Sequence, residues 1–447
     1  MRYLWLLLSV VLLILAACAA PAPVPPPVTV VEVAVEVTAT PQPATPTTPP
    51  TVAPTAAPTR PPLPTPTPFG VPAVSNFPYR IIGYYPSWAV YARKYFPVDV
   101  PVQHLTHINY AFGKIDPNTL ECVYVDPPVD DANFGDFRRL KQEYPHFKVL
   151  LSLGGWTLSN GFSDAALTDE SRAKLVKSCI DLYIGVYPDV IDGFDIDWEY
   201  PVGGGVETNT YRLEDKRNMT LLMQEFRRQL DELGQQNDRT YLLTAAVPAS
   251  PKLADQFELR ELSEVLDWMN LMAYDFYGAW STATNFNAAL YQPAGDASET
   301  NNVDAAVKYY LAAGVPPEKL NLGVPFYGRG WGEVSAQNNG LFQSTGNPPV
   351  GTFTYGYYDY WDLPTRYVDK NGFTRYWDDE AKVPWLYNPT EQVFITYDDP
   401  ESIGFKADYI VDNNLGGAMA WDLSGDDGTL LSTLFYRLYA RAKWGRP

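Results

Sequence analysis

Histidine is nearly missing from this chain, with three in 447 residues. His104, His107 and His146 show no spacing that would ligate a metal, and the first two sit inside the apolar run HLTHINYAF. They are read as structural, and neither a metal nor any other cofactor is expected. Cysteine is equally scarce, also at three. Cys18 closes the N-terminal apolar stretch, which leaves Cys122 and Cys179. Whether these two form a disulfide or remain two buried thiols stays open at this point. Positive charge is short as well, with 33 Lys and Arg against 52 Asp and Glu, a net charge of -19. A surface of that sign argues against nucleic acid or an anionic membrane as the main partner. The chain also lacks a comfortable membrane span, because its first apolar run, MRYLWLLLSVVLLILAAC, breaks into small residues too early.

That run has one positive charge, an apolar core and small residues before Cys18, the layout of a secretory signal. Its LAAC ending resembles the lipobox of bacterial lipoproteins, which implies a signal peptide over 1–17, cleavage before Cys18 and lipid on that thiol. The expected location is the extracellular face of a bacterial membrane, or outside the cell if the protein is simply secreted. Residues 18–78 are dominated by Pro, Thr, Ala and Val, as in TPQPATPTTPPTVAPTAAPTRPPLPTPTP, with no apolar period that could fold. They are expected to form an extended tether carrying a monomeric folded unit.

From residue 79 apolar runs recur: RIIGYYPSW, HLTHINYAF, KVLLSLGGW, IDGFDIDWEY, YLLTAAVP, LDWMNLMAYD, LNLGVPFYG and GGAMAWDL. Helix-like segments such as DKRNMTLLMQEFRRQLDELG separate them, an alternation that predicts parallel strands. Eight such units fit an α/β fold, the (β/α)8 TIM barrel, whose chemistry gathers at the C-terminal ends of the strands. About eighty residues separate the last two runs, more than a connection needs. They hold aromatic strand-like pieces such as TFTYGYYDYWDL. The expected division is barrel strands one to seven over 79–330, a small α+β insertion domain over 331–395, and barrel completion over 396–447.

The stretch DGFDIDWEY puts four carboxylates into a run that otherwise reads as a buried strand. Side chains alternate along a strand, so Asp195, Asp197 and Glu199 share one face at ~7 Å intervals while Phe194, Ile196 and Trp198 share the other. Like charges on a buried face cannot all ionise cheaply. Glu199, at the C-terminal end, is best placed to reach a ligand, and a raised pKa would keep it protonated as a general acid. Asp192 has the wrong parity and is read as structural.

These pieces together resemble glycoside hydrolase family 18, the chitinase family. DGFDIDWEY matches its DxxDxDxE signature on strand four, SLGGW its SxGG on strand three, LMAYDFYG its strand-six Tyr-Asp motif and AMAWDLSGD its strand-eight Trp. The similarity runs over 79–440 and includes the family's strand-seven insertion. It implies a glycosidase cleaving β-1,4 links between N-acetylglucosamine units of chitin or chito-oligosaccharides. In that scheme Glu199 is the acid and Asp197 orients the substrate's 2-acetamido group, which attacks the anomeric carbon to give an oxazolinium ion. Asp195 lies behind Asp197 and shares a proton with it, and Tyr274 donates to the acetamido oxygen. Asp275 holds the sugar's edge and Trp421 forms its floor, with Tyr84, Trp156, Met272 and Arg329 as further substrate contacts. Two other classes fit the pattern. One is a carbohydrate-binding lectin on the same barrel, against which the presence of Glu199 weighs. The other is a hydrolase of peptidoglycan or N-glycans.

Overall fold

A computed structural model describes residues 77–444. The signal-like run, the tether and Cys18 lie outside the described residues. Fourteen strands follow one another: β1 Arg80–Pro86, β2 His107–Asp116, β3 Glu121–Val123, β4 Lys148–Gly154, β5 Ile191–Asp197, β6 Leu242–Pro248, β7 Trp268–Met272, β8 Leu320–Pro325, β9 Tyr327–Trp331, β10 Tyr357–Asp359, β11 Thr374–Asp378, β12 Val383–Asn388, β13 Val393–Thr396 and β14 Gly417–Trp421. β1, β2, β4, β5, β6, β7, β8 and β14 pair in parallel and close on themselves through β14–β1 and β1–β2, forming an eight-stranded TIM barrel. The apolar runs are long because a parallel strand in a barrel is covered on both faces. All seven residues of β5 are buried. One face of the strands, including Ile82, Leu150 and Met419, fills the barrel. The other, including Ile81, Val149 and Leu243, belongs to the larger core with the surrounding helices.

The helices begin where their caps dictate. Thr168 caps Asp169–Cys179 through the Ser171 amide, and Asn302 caps Val303–Ala312 through the Ala305 amide. Asp399 caps Pro400–Asp412 through the amides of Glu401 and Ser402. Beside this last helix lies a fully buried ion pair. Lys406 Nζ is 2.7 Å from each oxygen of Asp398, and the Ser402 hydroxyl donates to the same carboxylate at 2.7 Å.

A second sheet, antiparallel and ordered β10-β9-β13-β12-β11, lies in the chain between β8 and β14. Here the structure corrects a boundary. LNLGVPFYG is not one strand, since β8 stops at Pro325 and Tyr327–Trp331 already pairs with β10 and β13. The second sheet thus starts four residues before the expected edge at 331. Cys122 on β3 is bonded to Cys179 at the end of its helix, with Cα atoms 4.9 Å apart, which resolves the open alternative in favour of a disulfide. His104 packs on Phe435, and His107 meets the Trp268 ring edge-on at 4.8 Å. Burial pushes His104 down to about 4 and His107 to about 3, so both are neutral at ordinary pH. Asp192 pairs with Lys141, Lys148 and Arg239 on the outside of the barrel, away from the acid ladder.

Candidate active site

A cavity of about 1160 Å³ opens at the C-terminal ends of the barrel strands. Asp197 and Glu199, Tyr84, Trp156, Met272, Tyr274, Asp275, Arg329 and Trp421 all line it. Asp195 lies one step deeper, fully buried. Segments far apart in the chain thus meet at one mouth, as a barrel requires. The glycines at the C-terminal end of β4 allow the close packing there. A Cβ on Gly154, whose φ is +107°, would sit 2.3 Å from the Asp197 carbonyl, and the Gly155 amide donates to that carbonyl at 2.8 Å.

The three ladder carboxylates have different surroundings. Asp195 accepts four hydrogen bonds: Tyr84 Oη at 2.6 Å and Ser152 Oγ at 2.8 Å on one oxygen, Thr244 Oγ1 at 2.6 Å and Asn270 Nδ2 at 3.1 Å on the other. Burial raises its pKa and the four donors oppose that rise. The resemblance implies a proton shared between Asp195 and Asp197. Among the described residues these donors already fill both Asp195 oxygens, and no hydrogen bond joins the two carboxylates. Among the described residues nothing partners the buried Asp197 Oδ1. Burial first, and then the neighbouring Glu199 and Asp195, hold the Asp197 pKa well above the carboxylate range. Glu199 stands two residues past the last residue of β5, with its amide on Ser159 Oγ at 3.0 Å. Burial, reinforced by Asp275, raises its carboxyl to about 7 although the Tyr200 hydroxyl pulls the other way. A group poised there still keeps its proton in a large share of molecules near neutral pH and can donate it.

Across the cavity, among the described residues, Tyr274 Oη makes only a long contact, 3.8 Å, to the Met419 sulfur. Thioether sulfur is a weak acceptor, so the hydroxyl is available to a ligand. Asp275 is engaged quite differently. Arg329 Nε and Nη2 clamp its two oxygens at 2.8 Å each, and Tyr327 Oη adds a third bond at 2.8 Å. The Arg329 guanidinium also lies over the rings of Trp280, Tyr327 and Tyr357. The sequence placed Asp275 and Arg329 separately against the sugar, whereas the structure pairs them. Trp421 forms an apolar wall with Tyr84 and Phe112, at centroid distances of 5.3 and 5.8 Å. Trp156 is half exposed at the rim.

Sequence reasoning missed Tyr200, Trp88, Phe112 and Trp280, which also line the cavity. The signal was present for all four. Tyr200 directly follows Glu199, Trp88 and Phe112 end the first and second apolar runs, and Trp280 directly follows LMAYDFYGA. Trp88 and Trp280 are 41% and 60% exposed, and large aromatics left open at a cavity mouth are stacking surfaces for flat apolar faces such as those of sugar rings.

The model of Glycosyl hydrolases family 18 matches residues 80–426. Chitinase A1 of Niallia circulans is 43% identical over 398 residues, covering 78% of this chain and 56% of that protein. Chitinase ChiA of Flavobacterium johnsoniae is 33% identical over 431 residues, covering 78% of this chain but 27% of that protein. The chain therefore spans little over half of one relative and about a quarter of the other. Among solved structures, chitinase ChiA74 from Bacillus thuringiensis superposes with a TM-score of 0.77 at 39% identity, covering 81% of this chain and 70% of that one. A family 18 N-acetylglucosaminidase from Paenibacillus barengoltzii gives 0.71 at 36% identity, covering 80% of this chain and all of that one. With the matched region spanning the whole barrel and the acid ladder at its mouth, the chain belongs to the family 18 glycosyl hydrolases.

Proposed function

We propose that the protein is a chitinase, hydrolysing β-1,4 links between N-acetylglucosamine units of chitin or chito-oligosaccharides with retention, through an oxazolinium intermediate formed by the substrate's own acetamido group. One observation carries this reading above a two-carboxylate mechanism. Asp275, the carboxylate of the cavity outside the ladder, is clamped by Arg329 and Tyr327, while Asp197 projects from the same strand segment as Glu199. A protein nucleophile must attack the face opposite the leaving group, and neither carboxylate is free to do so. Glu199 then protonates the glycosidic oxygen, Asp197 receives the acetamido N–H, and Tyr274 Oη donates to the acetamido oxygen as it attacks. Trp421 supplies the floor. The related chitinases support the choice of substrate.

Parallel product analysis on chitin oligomers, peptidoglycan and glycoprotein tests the substrate. For the mechanism, oligomers deacetylated at the reacting sugar are expected to resist cleavage there, and proton NMR of the first product is expected to show the β-anomer. An initial α-product or a trapped glycosyl ester would refute the mechanism. The likeness to an N-acetylglucosaminidase supports a second reading, release of single sugars from chain ends, which the same product pattern distinguishes.

The reading from LAAC adds a lipid anchor at Cys18. In a lipoprotein-competent bacterial host the protein is expected in the membrane fraction, and Cys18→Ala in the soluble fraction or as precursor. Equal solubility of both processed forms would exclude the anchor.

A further inference from the structure

The innermost ladder carboxylate is connected to the far end of the barrel. Asn270 Nδ2 donates to Asp195 Oδ1 at 3.1 Å, Asn321 Nδ2 donates to Asn270 Oδ1 at 3.3 Å, and Arg80 Nε donates to Asn321 Oδ1 at 3.1 Å. Both asparagines are fully buried. Strand register builds the chain of contacts. Asn270 of β7 stands opposite Asn321 of β8, and Asn321 and Arg80 stand opposite Gly417 of β14 from its two sides. A Cβ on Gly417 would lie 2.0 Å from the Arg80 carbonyl, and one on Gly416 would lie 1.8 Å from Arg80 Nη2. The glycine pair leaves Arg80 room to reach across.

Chemistry fixes the direction of this chain. A guanidinium only donates, an ionised carboxylate only accepts, and each amide has one end of each kind. Both asparagines must turn their carbonyls toward Arg80 and their amino groups toward Asp195. The other donors to Asp195 are hydroxyls, which can rotate to accept from a protonated carboxyl. The Asn270 amino group cannot, and a flip would turn its amino group on that of Asn321 or, if Asn321 flipped too, the Asn321 amino group on Arg80, donor against donor. Asn270 is therefore the contact that distinguishes ionised from protonated Asp195.

We propose that Arg80, Asn321 and Asn270 are positioning residues, a charge-to-charge relay along the barrel that keeps Asp195 an acceptor and leaves the site's protons to Asp197 and Glu199. The proposal rests on the catalytic reading of the ladder. The titratable groups facing Asp195 are Tyr84 of β1 and Asp197 of its own strand, while β4, β6 and β7 present Ser152, Thr244 and Asn270. At the other end Arg80 faces Asp267 and Glu318, with His107 and Lys148 close by. Burial lowers Arg80 only to about 10 and holds His107 at about 3, so neither changes charge between pH 5 and 8.

The test is Asn321→Asp. The new carboxylate has the same size and pairs with Arg80, but offers Asn270 an acceptor, so the Asn270 carbonyl turns to Asp195 and disfavours its ionisation. The variant is expected to fold, to lose about tenfold in kcat with KM for chitotriose little changed, and to show the acid limb of its pH profile about one unit higher. Arg80→Lys, which keeps a cationic donor, is expected to retain the wild-type limb, and Arg80→Met to raise it. A folded Asn321→Asp whose limb is unmoved overturns the relay, whether or not kcat falls uniformly. If that variant does not fold, an unmoved limb in Arg80→Met overturns it equally. Infrared titration of 13C-aspartate-labelled protein without substrate reports the same shift, so inactivity of the wild type on chitin would sink the catalytic reading while leaving the relay open to measurement.

Discussion

Glu199→Gln is expected to lower kcat on chitin oligomers by ~10²–10⁴ while oligosaccharide binding, expected on the aromatics that line the cavity, persists. Gln has the shape of the acid but no proton to give. In the wild type kcat/KM is expected to fall as pH rises through about 7, because the raised Glu199 carboxyl ionises there and an ionised acid cannot protonate the leaving oxygen. The same shift has a sign for stability. The carboxyl titrates from 4.5 in the ordinary state to about 7 in the folded protein, so between those values the folded state holds the extra proton. Its contribution is complete below about pH 4.5 and lost as pH rises through about 7. Glu199→Gln cannot ionise and so escapes that loss, by roughly 3 kcal/mol at alkaline pH. Thermal melts are expected to show the variant gaining on the wild type between pH 5 and pH 8. Near wild-type turnover, or a stability difference independent of pH, would remove Glu199 from this role.

Lys406→Met is expected to destabilise the fold by about 3–5 kcal/mol, read from denaturant unfolding, because it strands the Asp398 carboxylate in a fully buried site. Burial already raises Asp398, and Lys406 is the largest influence holding it down. Without that cation Asp398 is expected to take up a proton on folding, so the loss should be smaller at pH 5 than at pH 8. The double variant Lys406→Met with Asp398→Leu is expected to recover most of the stability. An undiminished single variant would mean that the pair is not what fixes this junction. The location matters for function. Asp398 follows β13 and precedes the helix Pro400–Asp412, and the adjoining Asp399 holds Arg375 of β11 at 2.7 Å. The pair thus anchors the chain's return from the sheet that carries Arg329.

The barrel was legible because each parallel strand is covered on both faces and reads as an apolar run, and the ladder because a period of two survives inside one of them. The edge at Phe326 was not legible. The run continues through it, and only pairing partners tell β8 from β9. Asp275 with Arg329, and Arg80 with Asn321, are contacts between distant segments, created by closure of the barrel and apposition of the second sheet. A single sequence carries no local trace of such pairs. Tyr200 was a different kind of miss, since it adjoins the acid, but its hydroxyl matters only once the cavity is folded around Glu199.

Phe77, the first described residue, packs at a tilt on Phe435 and stacks on Tyr439 of the helix Thr429–Trp444, just ahead of the entry into β1. The entry of β1 is the barrel's N-terminal pole, and the cavity opens at the other pole. The chain therefore enters the described fold at the pole opposite the cavity, and the point of entry leaves the mouth clear.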